Sequence, residues 1–304
     1  MRFDDVVMVD WSGSSRPKTG KDSIWAAHGT VDGEVRSDNH RTRAAAYAAI
    51  DGIVGAAVAD DRRVLAGFDF SFGYPAGFAA SLATAYPAVA SPGNPPWEVV
   101  WDHLAAAVRD DADNSNNRFD VAANVNAATG TAFFWGCPRP SPSLSPTKRQ
   151  LPDGLAANPL PDLRVAERVA ATATGKTIKT GWQLYGGVTV GSQVLVGVPY
   201  LHALRRRHPR RLVVWPLHTG FVADPLAAFP DARVVVAEMW PTAFAPAYGD
   251  GVRDDQQVRA VVAAVFAQQA GGGLAQWFDP SSAARLPVDV RRQVVNEEGW
   301  IFGV

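Results

Sequence analysis

The chain has a single cysteine, Cys137, among 304 residues. That excludes an intramolecular disulfide and any metal cage built from thiolates alone. No H-E-x-x-H or C-x-x-C spacing occurs, so the common zinc signatures are missing. Neither sign of charge is in excess: 29 Lys plus Arg stand against 30 Asp plus Glu, a net charge of −1. A protein that coats nucleic acid through bulk charge is therefore disfavoured, and only a local basic groove stays open. No apolar run reaches the ~18 residues a transmembrane helix needs. The opening MRFDDVVMVDW carries no charged-then-apolar leader with a small-residue cleavage site, so a cytoplasmic protein without a membrane partner is expected.

What is present suits a packed interior. Hydrophobic residues make up 47% and charged residues 19%, with 10 Trp and 14 Phe to bury,. Asp5–Asp10 (DVVMVD) reads as a buried strand ending on a carboxylate,. Residues 11–22 read as a long Gly/Ser/Pro/Lys turn, and 23–29 as a second strand. Asp32-Gly33 marks a tight hairpin, so a three-strand meander is expected,. The Ala-rich stretch 41–57 predicts a helix. A strand over 63–70 carries Asp69, and a short helix is expected to begin near Pro75,. From residue 86 to 179 the texture changes to Pro, Asn and Trp, which predicts a loop-rich insertion with helix over 97–109,. Gly-rich GWQLYGGVTVGSQ then leads into a helix with a basic end. Strands over 211–217 and 232–239 follow, the second carrying Glu238. Residues 254–270 keep 3.6-residue apolar spacing at Val258, Val261, Val262, Val265 and Phe266,. The expectation is an α/β chain with a mixed sheet flanked by helices: one domain over 1–304, with its core at 1–85 and 180–275 and an insertion at 86–179.

Three predicted strands end on acids, Asp10, Asp69 and Glu238, and Asp254 with Asp255 opens the last long helix. Clustered carboxylates repel one another, and a divalent cation with a preference for oxygen ligands removes that cost. Asp10, Asp69, Glu238 and Asp254 are therefore the candidate metal-binding and catalytic set for Mg²⁺ or Mn²⁺, with a two-ion arrangement as the fullest form. A single Asp after a strand also serves as a turn or cap residue. It is the recurrence that favours a shared site. Asn117, Arg118, Lys179, Gln183 and Gln193 are the candidate substrate contacts, because Arg forks onto phosphate and the Gly-rich segment exposes backbone N–H groups. Gly175-Lys176-Thr177 is not a Walker loop, since the glycine expected five residues earlier is Ala170,. Cys137, His28, His103, His202 and His218 show no ligand spacing and read as structural. Arg205-Arg206-Arg207 reads as a solvated helix end.

The pieces VVMVDWSGS, LAGFDFSFGYPAGF, VVVAEMWPTAF and VRDDQQVRA, in the order meander, helix, strand, helix, strand, helix, resemble a bacterial family of unknown function with a ribonuclease H-like fold, predicted to be nucleases. The resemblance covers the first 80 residues and roughly 180–270. It implies a ribonuclease H-like mixed sheet and a metal-dependent phosphodiester hydrolase acting on nucleic acid. Three other readings stay open. The same acids can serve a non-nuclease enzyme acting on a small phosphorylated metabolite. Asp10-Trp11-Ser12-Gly13 can be the phosphate hairpin of an actin-like nucleotide-binding fold. The scaffold can also be a binding module without catalysis.

Overall fold

The computed structural model describes residues 1–89, 93–187, 189–244 and 250–304. Strand β1 (Asp5–Asp10) buries Val6, Val7, Met8 and Val9 completely. Apolar side chains on both faces make it a central strand, covered above and below. β2 (Ile24–Thr30) and β3 (Arg36–His40) pair antiparallel beside it and complete the expected meander, with the polar β3 as an edge,. Helix α1 (Arg43–Ala59) is capped by the Thr42 hydroxyl, which accepts from the Ala45 N–H,. Strand β4 (Val64–Phe68) is buried throughout.

Helix α2 (Phe78–Ala85) starts three residues later than the Pro75 signal predicts. Pro75 instead accepts a turn-closing bond from the Phe78 N–H. The free N–H groups of Gly77 and Ala79 donate to the Glu297 carboxylate at 3.0 and 2.8 Å, a cap supplied from the far end of the chain. A cap that distant leaves no local signal.

The stretch 86–179 holds more helix than its composition predicts. It contains α3 (Pro96–Ala107), α4 (Arg118–Thr129), α5 (Val165–Thr174) and a two-residue strand pair, β5 (Thr131–Ala132) and β6 (Ala156–Ala157). Trp97, Trp101, Phe133 and Phe134 of this stretch share one hydrophobic cluster with Val7, Val9 and Phe68 of the sheet. Burial of these large rings explains how a Pro- and Asn-rich segment packs against the core.

The chain continues with α6 (Gly191–Arg207), β7 (Leu212–Trp215), α7 (Pro225–Ala228), β8 (Val234–Met239) and α8 (Arg253–Ala270). Short helices α9 (Leu274–Phe278), α10 (Ser281–Ala284) and α11 (Val288–Gln293) follow, then strand β9 (Ile301–Phe302). The sheet runs β3-β2-β1-β4-β8-β7, with β9 beside the end of β8. β1, β4, β8 and β7 are mutually parallel, so their C-terminal ends share one edge, where α/β sheets carry their sites. Val7, Val9, Ala66 and Phe68 pack toward the cluster shared with α1, α3 and α6. Val6, Met8 and Leu65 pack on the opposite side, with Val258, Val261 and Val262 of α8. The fold is thus α/β, a mixed sheet flanked by helices on both faces. Among the described residues no helix is long and apolar enough to cross a membrane.

One buried ion pair ties the insertion to the strand-end loops. Arg43 is fully buried. Its Nε and Nη2 donate to the two oxygens of Asp110 at 2.6 and 2.5 Å. Its remaining N–H groups reach the carbonyls of Ser12, Ser14 and Asn114 at 2.7–2.9 Å. All five guanidinium donors are therefore used, and Tyr200 on α6 adds a bond to Asp110 at 2.8 Å. Removing the cation leaves the largely buried Asp110 carboxylate with its Tyr200 bond but without the Arg43 counter-charge. Arg43→Met is expected to lower stability by about 3–5 kcal/mol in urea unfolding. The double variant Arg43→Met/Asp110→Asn should regain part of that loss.

Candidate functional site

The last residue of β1 is Asp10, and Asp69 follows β4 by one residue. β1 and β4 are paired up to Val9 and Phe68, so the two acids emerge side by side. Their carboxyl groups are hydrogen-bonded to each other. Asp69 Oδ1 also accepts from the Trp11 N–H at 2.6 Å. Asp254, in the first turn of α8, stands near both. Its Oδ2 accepts from the Asp22 N–H at 2.6 Å. All three acids line one cleft of about 860 Å³.

Burial, and then the neighbouring Asp69, hold the Asp10 carboxyl well above the usual carboxylate range. Burial pushes Asp69 up to about 6, although the bonds from Asp10 and from the Trp11 N–H oppose it. Asp254 is raised by burial against the opposing bond from Asp22. Two carboxyls at one spot share a proton for the reason that like charges cannot both ionise cheaply.

Glu238 does not join this group. Along β4 and β8, Phe68 pairs with Glu238, so Glu238 lies on the rung of Phe68 and Val9. Side chains alternate faces along a strand. Glu238 shares parity with Val234 and Val236, which pack with Val9 and Phe68. Asp10 shares parity with Val6 and Met8, on the α8 side. One residue of register therefore separates the faces. Glu238 is 5% exposed and engaged elsewhere. Arg164 donates to its two oxygens at 2.5 and 2.8 Å, and the Phe72 N–H donates at 3.1 Å. The same guanidinium reaches Glu167, the Ser71 hydroxyl and the Glu298 carbonyl. Burial disfavours the Arg164 cation, but Glu238 and Glu167 more than offset it and raise its pKa. Glu238 lines a smaller neighbouring pocket of about 230 Å³, which Asp69 also borders.

The expected substrate contacts divide in the same way. Arg118, the first residue of α4, lines the cleft and is 7% exposed. Its Nε donates to Ser192 Oγ at 2.8 Å, and its Nη1 to Ser15 Oγ and Asn116 Oδ1 at 2.7 Å. None of these partners is an acid. Burial and the nearby Arg43 bring its pKa down to about 10, so it stays a cation. Gln193 lines the cleft and donates to the Trp11 carbonyl at 2.5 Å. Lys179 lines the smaller pocket with Glu238. Asn117 lies away from the cleft, bonded to the Arg109 N–H and the Ala107 carbonyl, where it shapes the loop before α4. Gln183 donates to the Tyr185 carbonyl and does not line the cleft.

Asp22, Arg43, Arg164 and Glu167 carry the site's geometry and are not evident from sequence. Arg164 and Glu167 form an i,i+3 pair, a spacing common on exposed helix faces,. Nothing local tells that the pair is buried against β8.

The donor set suits a hard cation. Mg²⁺ takes one or two carboxylates and keeps several waters, and Asp10 with Asp69 offers two oxygen-only ligands. Among the described residues no three His, Cys, Asp or Glu side chains form a ready-made cage. The fit is therefore a two-carboxylate seat with Asp254 behind it. A second ion on Glu238 would require breaking its bond to Arg164. No family model, curated protein or solved structure matches the chain.

The raised acids give a stability signature. A carboxyl with an elevated folded pKa contributes stability that is fully present below its unfolded value, 3.8 for Asp. That contribution is lost as pH rises through the folded value, about 6 for Asp69 and also elevated for Asp10,. Asp10→Asn keeps the hydrogen bond to Asp69 and removes one charge. In metal-free buffer at pH 8 the variant is expected to be more stable than the parent by on the order of 1–3 kcal/mol. At pH 4 the difference should vanish. Equal denaturation midpoints at pH 8 would rule out the shared proton.

Proposed function

We propose that this chain is a divalent-cation-dependent phosphoester hydrolase, and that its substrate is a small phosphorylated molecule rather than duplex nucleic acid. One observation carries the reading. The Asp10–Asp69 carboxyl pair and the buried Arg118 cation, which has no acidic partner, line the same cleft. Such a pairing suits a phosphate held by its negative oxygens between a cation-binding acid pair and a guanidinium.

Asp10 and Asp69 would hold Mg²⁺ or Mn²⁺. When bound, such an ion neutralises phosphate charge and lowers the pKa of a coordinated water. The chain's own residues supply the rest. Arg118, fixed by Ser192, Ser15 and Asn116, orients the phosphate. Asp254, with its Oδ2 on the Asp22 N–H, takes the proton that the attacking water loses. The new bond forms from water oxygen to phosphorus, and the ester P–O bond breaks. The leaving alcohol carries off the proton returned to it.

The substrate class follows from size and charge. The cleft holds about 860 Å³, within the range of small-molecule sites. It is walled on one side by Leu184, Tyr185 and Gly186. The net charge of −1 offers no broad field for a polyanion. The run β3-β2-β1-β4-β8, with an antiparallel meander followed by parallel strands, supports a ribonuclease H-like reading of the scaffold. That reading concerns the frame and not the substrate.

Calorimetric titration with Mn²⁺ tests the proposal. The parent is expected to bind, and Asp10→Asn and Asp69→Asn should each weaken binding at least ~10-fold. Glu238→Gln should keep Mn²⁺ affinity while lowering stability by about 3 kcal/mol or more, because it leaves Arg164 short of a counter-charge. No binding by the parent, or unchanged binding in both Asp variants, would overturn the metal seat. Faster cleavage of oligonucleotides than of small phosphoesters would return the substrate to nucleic acid.

A further inference from the structure

Among the described Phe, Trp and Tyr side chains, Tyr185 is the exposed one, at 53%. The others are buried or half-buried, as the large apolar area of an aromatic ring favours. A lone exposed ring is ordinary on a protein surface. This one lines the cleft that also holds Asp10, Asp69 and Arg118.

The segment that presents the ring is braced. The Leu184 N–H donates to the Trp135 carbonyl at 2.9 Å, and Gln183 Nε2 donates to the Tyr185 carbonyl at 3.1 Å. Gly136, at φ +86°, lies so close to the Tyr185 backbone that a Cβ there would sit 2.9 Å from both its nitrogen and its oxygen. Only glycine permits that φ together with that approach. Gln183, which stands outside the cleft, thus acts through Tyr185. The Tyr185 ring meets Phe119 in a T-shaped contact, with centroids 6.4 Å apart. The Arg118 guanidinium lies over the same Phe119 ring at 4.4 Å. The exposed ring therefore stands one side chain away from the buried cation of the cleft.

We propose that Tyr185 is a stacking platform for a planar aromatic group on the substrate's alcohol. The substrate is then an aryl or nucleoside phosphate and not the phosphate of a saturated alcohol. This rests on the hydrolase reading of the same cleft. Flat π systems stack on a tyrosine ring largely whatever their polar edges carry. A puckered ring brings fewer atoms into contact with the same platform. Bonds and packing already fix the backbone at Tyr185, and a tyrosine side chain has only two torsions to order. Little of the stacking gain is therefore lost to immobilisation. The cleft divides its task accordingly: the acid pair and Arg118 take the phosphate, and Tyr185 takes the leaving group.

Benzylphosphonate and cyclohexylmethylphosphonate are the probes. They resist hydrolysis and share one headgroup, and their rings differ in being flat or puckered. With Mn²⁺ present, calorimetry on the parent should show benzylphosphonate binding at least ~5-fold tighter. Tyr185→Ala should abolish that difference, and Tyr185→Phe should keep it. The side chain is exposed, so both variants should retain the parent's urea midpoint. The methylene phosphonate analogue of adenosine 5′-monophosphate separates the two sources of the ring. Tighter binding than benzylphosphonate assigns a nucleobase, and weaker binding a simple aryl group. Equal binding of the flat and puckered rings by the parent, or a preference that survives Tyr185→Ala, would overturn the platform and leave the hydrolase reading standing. A parent that binds no Mn²⁺ yet keeps a Tyr185-dependent preference would remove the hydrolase reading and leave the platform. Binding of neither phosphonate would overturn both.

Discussion

The Arg164–Glu238 ion pair is the interaction on which the rest of the cleft depends. It joins the start of α5, inside the insertion, to the end of β8, an interior strand between β4 and β7. Arg164 also reaches Glu167, Ser71 and the Glu298 carbonyl, so insertion, core and C-terminal segment meet at one guanidinium. Buried charges are tolerated when their partners are complete, and here both oxygens of Glu238 are engaged. The consequence for function is direct. A strand-end carboxylate is consumed in holding the molecule together.

Arg43 does the corresponding work on the other side. It fixes the Ser12–Ser14 carbonyls against Asp110. The loop that follows Asp10 is thus held from α1 and from the insertion at once. Between these two clamps the only buried cation without an acidic partner near the cleft, among the described residues, is Arg118. Its neutral partners, Ser192, Ser15 and Asn116, orient it without cancelling its charge. Two arginines serve architecture and one faces the cleft, and the difference lies wholly in whether a carboxylate stands opposite.

Much of this was legible in the residues. The buried Val runs, the meander, the strand-end acids Asp10 and Asp69 and the amphipathic α8 with Asp254 in its first turn all follow local periodicity, and the coordinates agree. The beginning of α2 did not follow, because its cap is Glu297 from the C-terminal segment. Within the insertion α3 answers the helix expected over 97–109, whereas α4 and α5 did not follow, because they are held by residues such as Val121, Val125 and Val165 buried against the core, not by intrinsic propensity. Asn117 looked like a ligand contact and is a loop fastener, since Asn side chains bond to nearby backbone as readily as to a substrate,.

By itself the sequence determined that the first strand is buried, that acids stand at the strand ends, and that no intramolecular disulfide or thiolate-only cage is possible. These are properties of composition and of periods of two and 3.6. Only the tertiary structure decided which acids meet. Asp10 and Asp69 face α8 and Asp254, while Glu238, one rung earlier beside Phe68, faces the other way and finds Arg164. Side chains alternate with a period of two, so a single residue of register between paired strands assigns an acid to the cleft or to the clamp. Register is set by pairing between distant segments, and no stretch of the chain read alone contains it.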